Sequence, residues 1–367
     1  MYPKILERCG HGGPALEDLR KVWATLGRIA LPDAVKRDTL SRYARPDQAL
    51  DVILDAAQAK GFRIDQLINE KLIEQDLRWS EESSREIIGL TDAGYPHLLR
   101  EIASPPTVLY CDGRISLLHE RSVAIVGSRK PTHAGVKIAA TMAGDIARAG
   151  TVVVSGLAHG IDSAAHRGAL VADGWTIAVF ATGLDSIYPK RNRDLGSQIK
   201  EKGLVISEFP TGVGVRRHHF PQRNRIISGL SMGTVVVEAT ARSGSLITAG
   251  FAADQGREVF AVPGSVYSPP SNGPHQLIRD GACLVESGAQ VLEGLGWLNP
   301  EKKKNNAPSE QPEWCREILR AVDFTPTALD QIAERCGLTI GEVSAILIRM
   351  ECEQLVSACH GGYVRAG

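Results

Sequence analysis

The chain has 367 residues, and its 42 Lys and Arg balance 42 Asp and Glu. At roughly 100–200 residues per domain this length implies two or three domains. With 43% apolar and 23% charged residues the composition is that of a soluble globular protein, and the zero net charge excludes a uniformly basic nucleic-acid coat but not a local basic patch. No apolar run approaches the ~20 residues of a membrane span, and Met1 to Cys9 lacks the apolar stretch of a secretory signal. Seven cysteines, an odd number with no C-x-x-C pair, read as reduced thiols of a cytoplasmic protein rather than as disulfides or a metal site.

Residues 1–85 read as a helical domain, with candidate helices Ala15 to Ile29, Val35 to Tyr43, Asp47 to Lys60 and Asp65 to Gln75. Residues 86–120, punctuated by Tyr95-Pro96 and Pro105-Pro106, read as an extended connector leading into the next domain, so that the second unit spans 86–297. Of the 37 glycines, 24 fall within 121–297, interleaved with six short β-branched runs: 122–126, 151–154, 176–180, 204–207, 234–237 and 258–262. Such continuous apolar runs are expected of strands buried on both faces. Helical patterns at 134–149, 161–172 and 245–255 lie between them. That alternation predicts βαβ units and an α/β fold, an extended Rossmann-like parallel sheet.

Residues 298–312, polar with three prolines, read as a linker, and the Lys302-Lys303-Lys304 run as solvated charge. Residues 313–367 predict three helices (314–322, one N-capped by Thr327 and ended by Gly337, and 340–353) and a hairpin around Gly361-Gly362, which together make a winged helix.

Counted by segment, the charge is uneven. Residues 121–297 hold 18 Lys and Arg against 13 Asp and Glu, a net of +5, whereas residues 313–367 hold 5 against 8, a net of −3. Arg216, Arg217, His218, His219, Arg223 and Arg225 form one acid-free cluster; Lys190, Arg191 and Arg193 form a second; Arg129 and Lys130 form a third. Each follows a different predicted strand, and loops that follow strands of a parallel sheet collect at one edge, so the clusters should converge on an anion site.

The loops themselves are phosphate-compatible. Gly127-Ser128-Arg129 and Ser155-Gly156 each precede a helix, and Ser243 to Thr248 adds hydroxyls. Neither glycine loop is G-x-G-x-x-G, no acid ends the second strand, and no Walker A sequence occurs, so neither a dinucleotide cofactor nor P-loop chemistry is expected. His159, His166 and Asp162 match no metal spacing; Asp162 reads as a helix cap, and Glu238, which would repel phosphate, reads as structural unless it is catalytic.

An ordered series of motifs resembles the DNA-processing protein A (DprA, or Smf) family. The series comprises Val123-Ala-Ile-Val-Gly127-Ser-Arg129, Ser155-Gly-Leu-Ala-His-Gly-Ile-Asp162, Gly183-Leu-Asp-Ser-Ile-Tyr188-Pro189 with Asn192, Ser207-Glu208-Phe-Pro210, and Phe220-Pro221-Gln-Arg223-Asn224-Arg225. It continues through Val237-Glu-Ala239, Ser243-Gly-Ser245, Pro263-Gly264 and Leu277-Ile-Arg-Asp-Gly281-Ala282. The resemblance covers residues 90–297 nearly continuously. Residues 1–85 fit the family's sterile-alpha-motif-like domain by position and helical character, and the tail fits its winged helix.

The resemblance implies a cytoplasmic, homodimeric, single-stranded DNA-binding protein that protects incoming strands in natural transformation and loads the RecA recombinase. It implies neither an enzyme nor a cofactor. By motif position, Arg129, Lys190 and the segment from Arg216 to Phe220 fall in the DNA site. The residues expected at the site are Gly127, Ser128, Arg129, Ser155, Gly156, Lys190, Arg216, Arg217, Phe220, Arg223, Asn224, Arg225, Ser243 and Thr248. Cations neutralise phosphates, and Phe220 either stacks a base or packs inward as a loop anchor. The acidic tail is expected to contact protein rather than duplex DNA.

The alternative reading is a nucleotide-binding enzyme of the lysine-decarboxylase-like phosphoribohydrolase type. Its P-G-G-x-G-T-x-x-E motif is met here only by Ser231-Met-Gly233-Thr234-Val-Val-Val-Glu238, without the P-G-G and with the glutamate one position late. A third reading is a scaffold whose function resides in the tail and the dimer.

Overall fold

The computed structural model describes residues 16–297, 313–353 and 355–365. The expected linker 298–312 lies outside the described residues. Two compact units emerge, divided at residue 298.

The first unit is built on a nine-stranded sheet in the order β1-β2-β6-β5-β4-β3-β7-β8-β9. The strands are β1 (Arg85–Gly89), β2 (Val108–Gly113), β3 (Ser122–Val126), β4 (Val152–Ser155), β5 (Thr176–Val179), β6 (Leu204–Ser207), β7 (Gly233–Val236), β8 (Glu258–Ala261) and β9 (Cys283–Leu284). From β6 through β9 all pairings are parallel; the buried β-branched runs predicted β3 to β8, and the two-residue, exposed β9 lies outside them. The chain leaves β3 toward β4 on one side and later returns to β7 on the other. The strand order therefore reverses between β3 and β7, which places a topological switch point there.

Residues 86–120 are not a connector. They supply β1 and β2, which pair antiparallel with each other and, through β2, with β6. The prolines lie between the two strands, where no ladder N–H is required of them. Both strands alternate their side chains between two covered faces: Ile87, Val108 and Tyr110 point to one core, and Ile88, Leu109 and Cys111 to the other.

Helices cover both faces. On one, α7 (His133–Arg148), α8 (Ile161–Val171) and α13 (Gly288–Gly294) bury Met142, Ile146 and Leu292 against Val123, Ile125 and Val235. On the other, α10 (His219–Leu230) and α11 (Gly244–Asp254) bury Ile226, Ile227 and Ala249 against Ala124, Val126 and Val154. Each fully buried Val, Leu, Ile or Met among them contributes about 1.5–3 kcal/mol of transfer free energy. The remaining helices are α6 (His97–Arg100), α9 (Arg193–Lys202) and α12 (Asn272–Arg279).

The N-terminal helices are α1 (Leu16–Arg28), α2 (Asp33–Arg42), α3 (Pro46–Ala59), α4 (Ile64–Leu67) and α5 (Glu70–Trp79). The single helix expected over 65–75 is two, because Asn69 accepts a hydrogen bond from the Leu72 amide and starts a new one. These helices share one core with the sheet: Trp23, Leu26 and Ile53 pack in a cluster with Tyr110, Phe180 and Val205. A buried polar knot fastens the two. Asp76, 0% exposed, accepts from Arg28 Nε and Nη2 (both 2.7 Å), Tyr110 OH (2.9 Å), and Thr211 N (3.1 Å) and Oγ1 (2.7 Å).

The second unit is the winged helix, formed by α14 (Glu313–Ala321), α15 (Leu329–Cys336), α16 (Ile340–Cys352) and the antiparallel pair β10 (Val356–Cys359) and β11 (Gly362–Arg365). Its core contains Ile318, Ile332, Val343, Leu347 and Met350. Gly337 ends α15 at φ +68°, as its position predicted. Thr327 does not cap α15. Its hydroxyl accepts from the Asp323 amide and donates to Thr325 O, and its backbone pairs with Tyr363. The tertiary contact to the wing takes the residue away from the helix start.

Candidate nucleic-acid interface

The loops after β3, β4, β5 and β7 and the start of α10 meet at the carboxyl edge of the sheet. Asn192 Nδ2 donates to Leu157 O (2.9 Å), Ile161 N to Ser128 O (3.1 Å), and Asn224 Nδ2 to Gly244 O (3.3 Å), so the loops brace one another. The predicted convergence of the three basic clusters has a centre: Phe220. Its ring lies 5.1 Å from the Arg129 guanidinium carbon and 5.8 Å from the ring centroid of Tyr188. Arg129, Lys130, Lys190, Arg191, Arg193, Arg216 and Arg217 are all exposed, and none is held in an ion pair among the described residues.

The backbone of the edge, by contrast, is largely spent on itself. Glu238 stands at the N-terminus of α7 and accepts from Thr132 N (2.9 Å) and the Thr132 hydroxyl, while its carbonyl accepts from Ser128 N (2.7 Å). A carboxylate thus occupies the place that a phosphate takes at a helix N-terminus, and Glu238 is structural here. Asp162 accepts from the amides of Gly156 (3.2 Å) and Ala158 (3.3 Å). His166 Nε2 accepts from the Leu157 amide (3.3 Å). The Ser155 hydroxyl is buried and donates to Ile125 O. The loop after β4 is therefore not the open set of amide donors that its glycines suggested.

Two expected phosphate ligands also turn inward. Arg223 is 3% exposed and donates from Nη1 to Gly156 O (2.6 Å) and Val179 O, tying the end of β5 to the loop after β4. A Cβ on Gly156 would lie 2.1 Å from that nitrogen, so any larger residue there would displace the Arg223 guanidinium from its two carbonyls. Burial is the leading effect on the Arg223 guanidinium, lowering its pKa to about 10 against the nearby Asp162 charge that raises it. Arg225 makes a bidentate pair with Glu208 (2.7 and 2.6 Å) and donates to Ser104 O. Both arginines ride on α10, and the faces that carry them point into the fold. The basic stretch 216–225 read as one surface cluster, but its half before α10 is an exposed loop and its arginines on α10 are structural.

Of the remaining expected residues, Arg129, Lys190, Arg216 and Arg217 are exposed, and Ser128, Phe220, Asn224 and Ser243 are partly so. Gly127 and Thr248 are buried, and Ser243 caps α11 through the Ser245 amide (3.2 Å). Tyr188 was absent from the expected set. The signal for it was its place two residues before Lys190 in an aromatic-proline step. Among the described residues no cluster of His, Cys, Asp and Glu could hold a metal, and no helix is long and apolar enough to cross a membrane.

The buried polar network beneath the edge carries a pH dependence. His166 is fully buried: Nε2 is occupied as an acceptor, and Nδ1 faces the Thr176 hydroxyl (2.7 Å), which donates to Val153 O. Burial, with Arg223 and Arg167 adding to it, pushes the imidazole down to about 3. The unfolded chain takes up this proton near pH 6.5 and the folded one does not, so the stability contribution is complete above that pH and is lost as pH falls from 6.5 toward 3. Burial raises Asp162, which acts in the opposite sense at the acid end. The unfolding free energy should drop by about 1.4 kcal/mol per pH unit below pH 6 from His166 alone. Denaturant titrations across pH 4–7 should show that slope component in the wild type and not in His166→Gln.

An extended Rossmann-like sheet with an unpaired cationic rim, followed by a winged helix, defines the class: a doubly wound α/β protein with a polyanion-compatible edge. The comparisons make it specific. Residues 86–296 match the model of DNA recombination-mediator protein A, residues 301–362 match that of the DprA winged helix domain, and the chain belongs to this family. It is 41% identical over 304 residues to Protein Smf of Escherichia coli, covering 80% of this chain and 81% of that one. It is 43% identical over 248 residues to DNA processing protein DprA of Streptococcus pneumoniae, covering 67% and 87%. The X-ray structure of DprA from Streptococcus pneumoniae is similar at a TM-score of 0.62 and 34% identity, covering 76% of this chain and 98% of that one. DNA processing protein A from Helicobacter pylori, described for its single-stranded DNA binding mode, is similar at 0.52 and 30%, covering 57% and 95%.

Proposed function

We propose that this chain binds single-stranded DNA along the carboxyl edge of its sheet. The observation that carries the reading is that three separate segments, each bearing exposed cations outside any ion pair among the described residues, meet at Phe220: Arg129 over its ring, Tyr188 beside it, and its own segment from Arg216. Side-chain cations neutralise successive phosphates, and a partly exposed aromatic among them suits unpaired bases. Membership in the DNA recombination-mediator family and the single-stranded DNA binding described for the Helicobacter pylori relative support it. In this reading the protein is a cytoplasmic homodimer that shields incoming strands in natural transformation and passes them to the RecA recombinase, with no covalent step and no cofactor. The nucleotide-hydrolase alternative is less supported, because Glu238 is committed to α7 and to Thr132.

The winged helix serves protein contact in this proposal. On α16 the exposed positions Gly341, Ala345 and Ile348 carry no charge, and the helix's one cation, Arg349, lies 3.3 Å from Glu353. A helix of that kind has little to offer a phosphate backbone.

Fluorescence anisotropy of the full chain with labelled single- and double-stranded oligonucleotides, over a salt series, tests the central claim. Tighter binding of the single strand, with log Kd rising linearly against log salt, is expected. Equal affinity for both forms, or no salt dependence, would contradict it.

A further inference from the structure

We propose that Tyr188 is the outer stacking surface for an unpaired base, with Phe220 as its inner support. This rests on the single-strand reading above and assigns a residue to it. Tyr188 is 44% exposed, and its hydroxyl has no hydrogen-bond partner among the described residues. The loop that carries it is nevertheless firmly held. On one side Ile187 packs against the core; on the other the buried Asn192 side chain is bonded to Leu157 O and Ala158 O. A large aromatic held outward by a pinned loop pays little ordering entropy when a ring settles on it.

The neighbours define the ligand. One contact of Tyr188 is Phe220, tilted at 56°, and Phe220 in turn lies under the Arg129 guanidinium. The Arg129 contact leaves Phe220 flanked by side chains, so the tyrosine is the more open ring. Lys190, exposed, lies two residues beyond Tyr188. An aromatic face with Arg129 one ring away and exposed Lys190 two residues along the chain suits a base whose neighbouring phosphates must be neutralised, and any of the bases will serve because each has a π-face. A duplex keeps those faces stacked inside, so the residue would discriminate in favour of single strands.

The test uses the full chain and a fluorescein-labelled single-stranded oligonucleotide, with a second oligonucleotide carrying one 2-aminopurine. Tyr188→Ala should weaken binding by about 5- to 150-fold, the range of one lost base–aromatic stack. The slope of log Kd against log salt should stay the same, because no phosphate contact is lost. Tyr188→Phe and Tyr188→Trp should restore affinity. Tyr188→Leu, which keeps an apolar contact to Phe220 without a π-face, should not. Quenching of 2-aminopurine by the wild type should be lost in the alanine variant. If the wild type binds and Tyr188→Ala binds equally well, or Tyr188→Leu restores affinity, this inference fails while the single-strand reading stands. If the wild type does not bind the single strand at all, the underlying reading fails.

Discussion

Arg129→Ala is expected to weaken single-stranded DNA binding by roughly 10- to 100-fold, the equivalent of a charge-assisted hydrogen bond at ~1.5–3 kcal/mol, and to lower thermal stability only slightly. Arg129 is exposed and follows the buried strand β3, so its loss costs the fold little, about the 0.5–1 kcal/mol of an exposed cation–π contact. It also covers Phe220, the point where the other basic segments meet. Its removal should take one phosphate contact, lowering the slope of log K against log salt by about 0.7. Lys190→Ala should reduce the slope by the same amount with a smaller loss, because a lysine offers no planar fork to phosphate. Anisotropy at four or more salt concentrations gives both numbers. Unchanged affinity in Arg129→Ala would remove the edge as the binding site.

Asp76→Ala should destabilise the first unit by about 3–5 kcal/mol, the cost of removing one partner of a buried ion pair. The carboxylate accepts five hydrogen bonds from α1, β2 and the segment after β6. Without it the Arg28 guanidinium, 8% exposed, keeps only Thr211, and the Tyr110 hydroxyl and the Thr211 amide lose their acceptor. Asp76→Asn should cost less, since one oxygen still accepts. Arg28→Met combined with Asp76→Leu should cost less than Asp76→Ala alone, because no charge is then stranded. Urea denaturation followed by tryptophan fluorescence is a suitable measurement, as Trp23 sits in the same core cluster. A loss below about 1 kcal/mol for Asp76→Ala would show that the helices are held to the sheet by apolar contact alone.

The parallel strands β3 to β8 were legible because each is a short, largely apolar run rich in β-branched residues, a pattern that burial on both faces rewards. The boundaries of β3 and β6 fall where the runs begin and end. The β1–β2 edge was not legible, since prolines between two short strands look like a connector until the pairing with β6 is known. At the candidate site, Arg129, Lys190, Arg216 and Arg217 are exposed as a phosphate-facing role requires, whereas Arg223 and Arg225 are buried and bonded within the fold. Arg216 and Arg223 are seven residues apart and chemically alike, but the second lies inside α10's packed face, where carbonyls at the strand ends take the place of phosphate.

By itself the sequence determined the α/β class, the winged helix, the basic character of the core unit and the family to which the motifs belong, because these depend on periodicity, composition and ordered local motifs. Only the tertiary structure decided which arginines face solvent, that Asp162, His166 and Glu238 consume the loop amides, and that Tyr188 joins Phe220 and Arg129. Several of those outcomes depend on which donor meets which acceptor far along the chain, 67 residues apart for Arg223 and Gly156 and 106 for Thr132 and Glu238, and a side chain's charge is the same in a guanidinium bound to a buried carbonyl as in one left free for a phosphate.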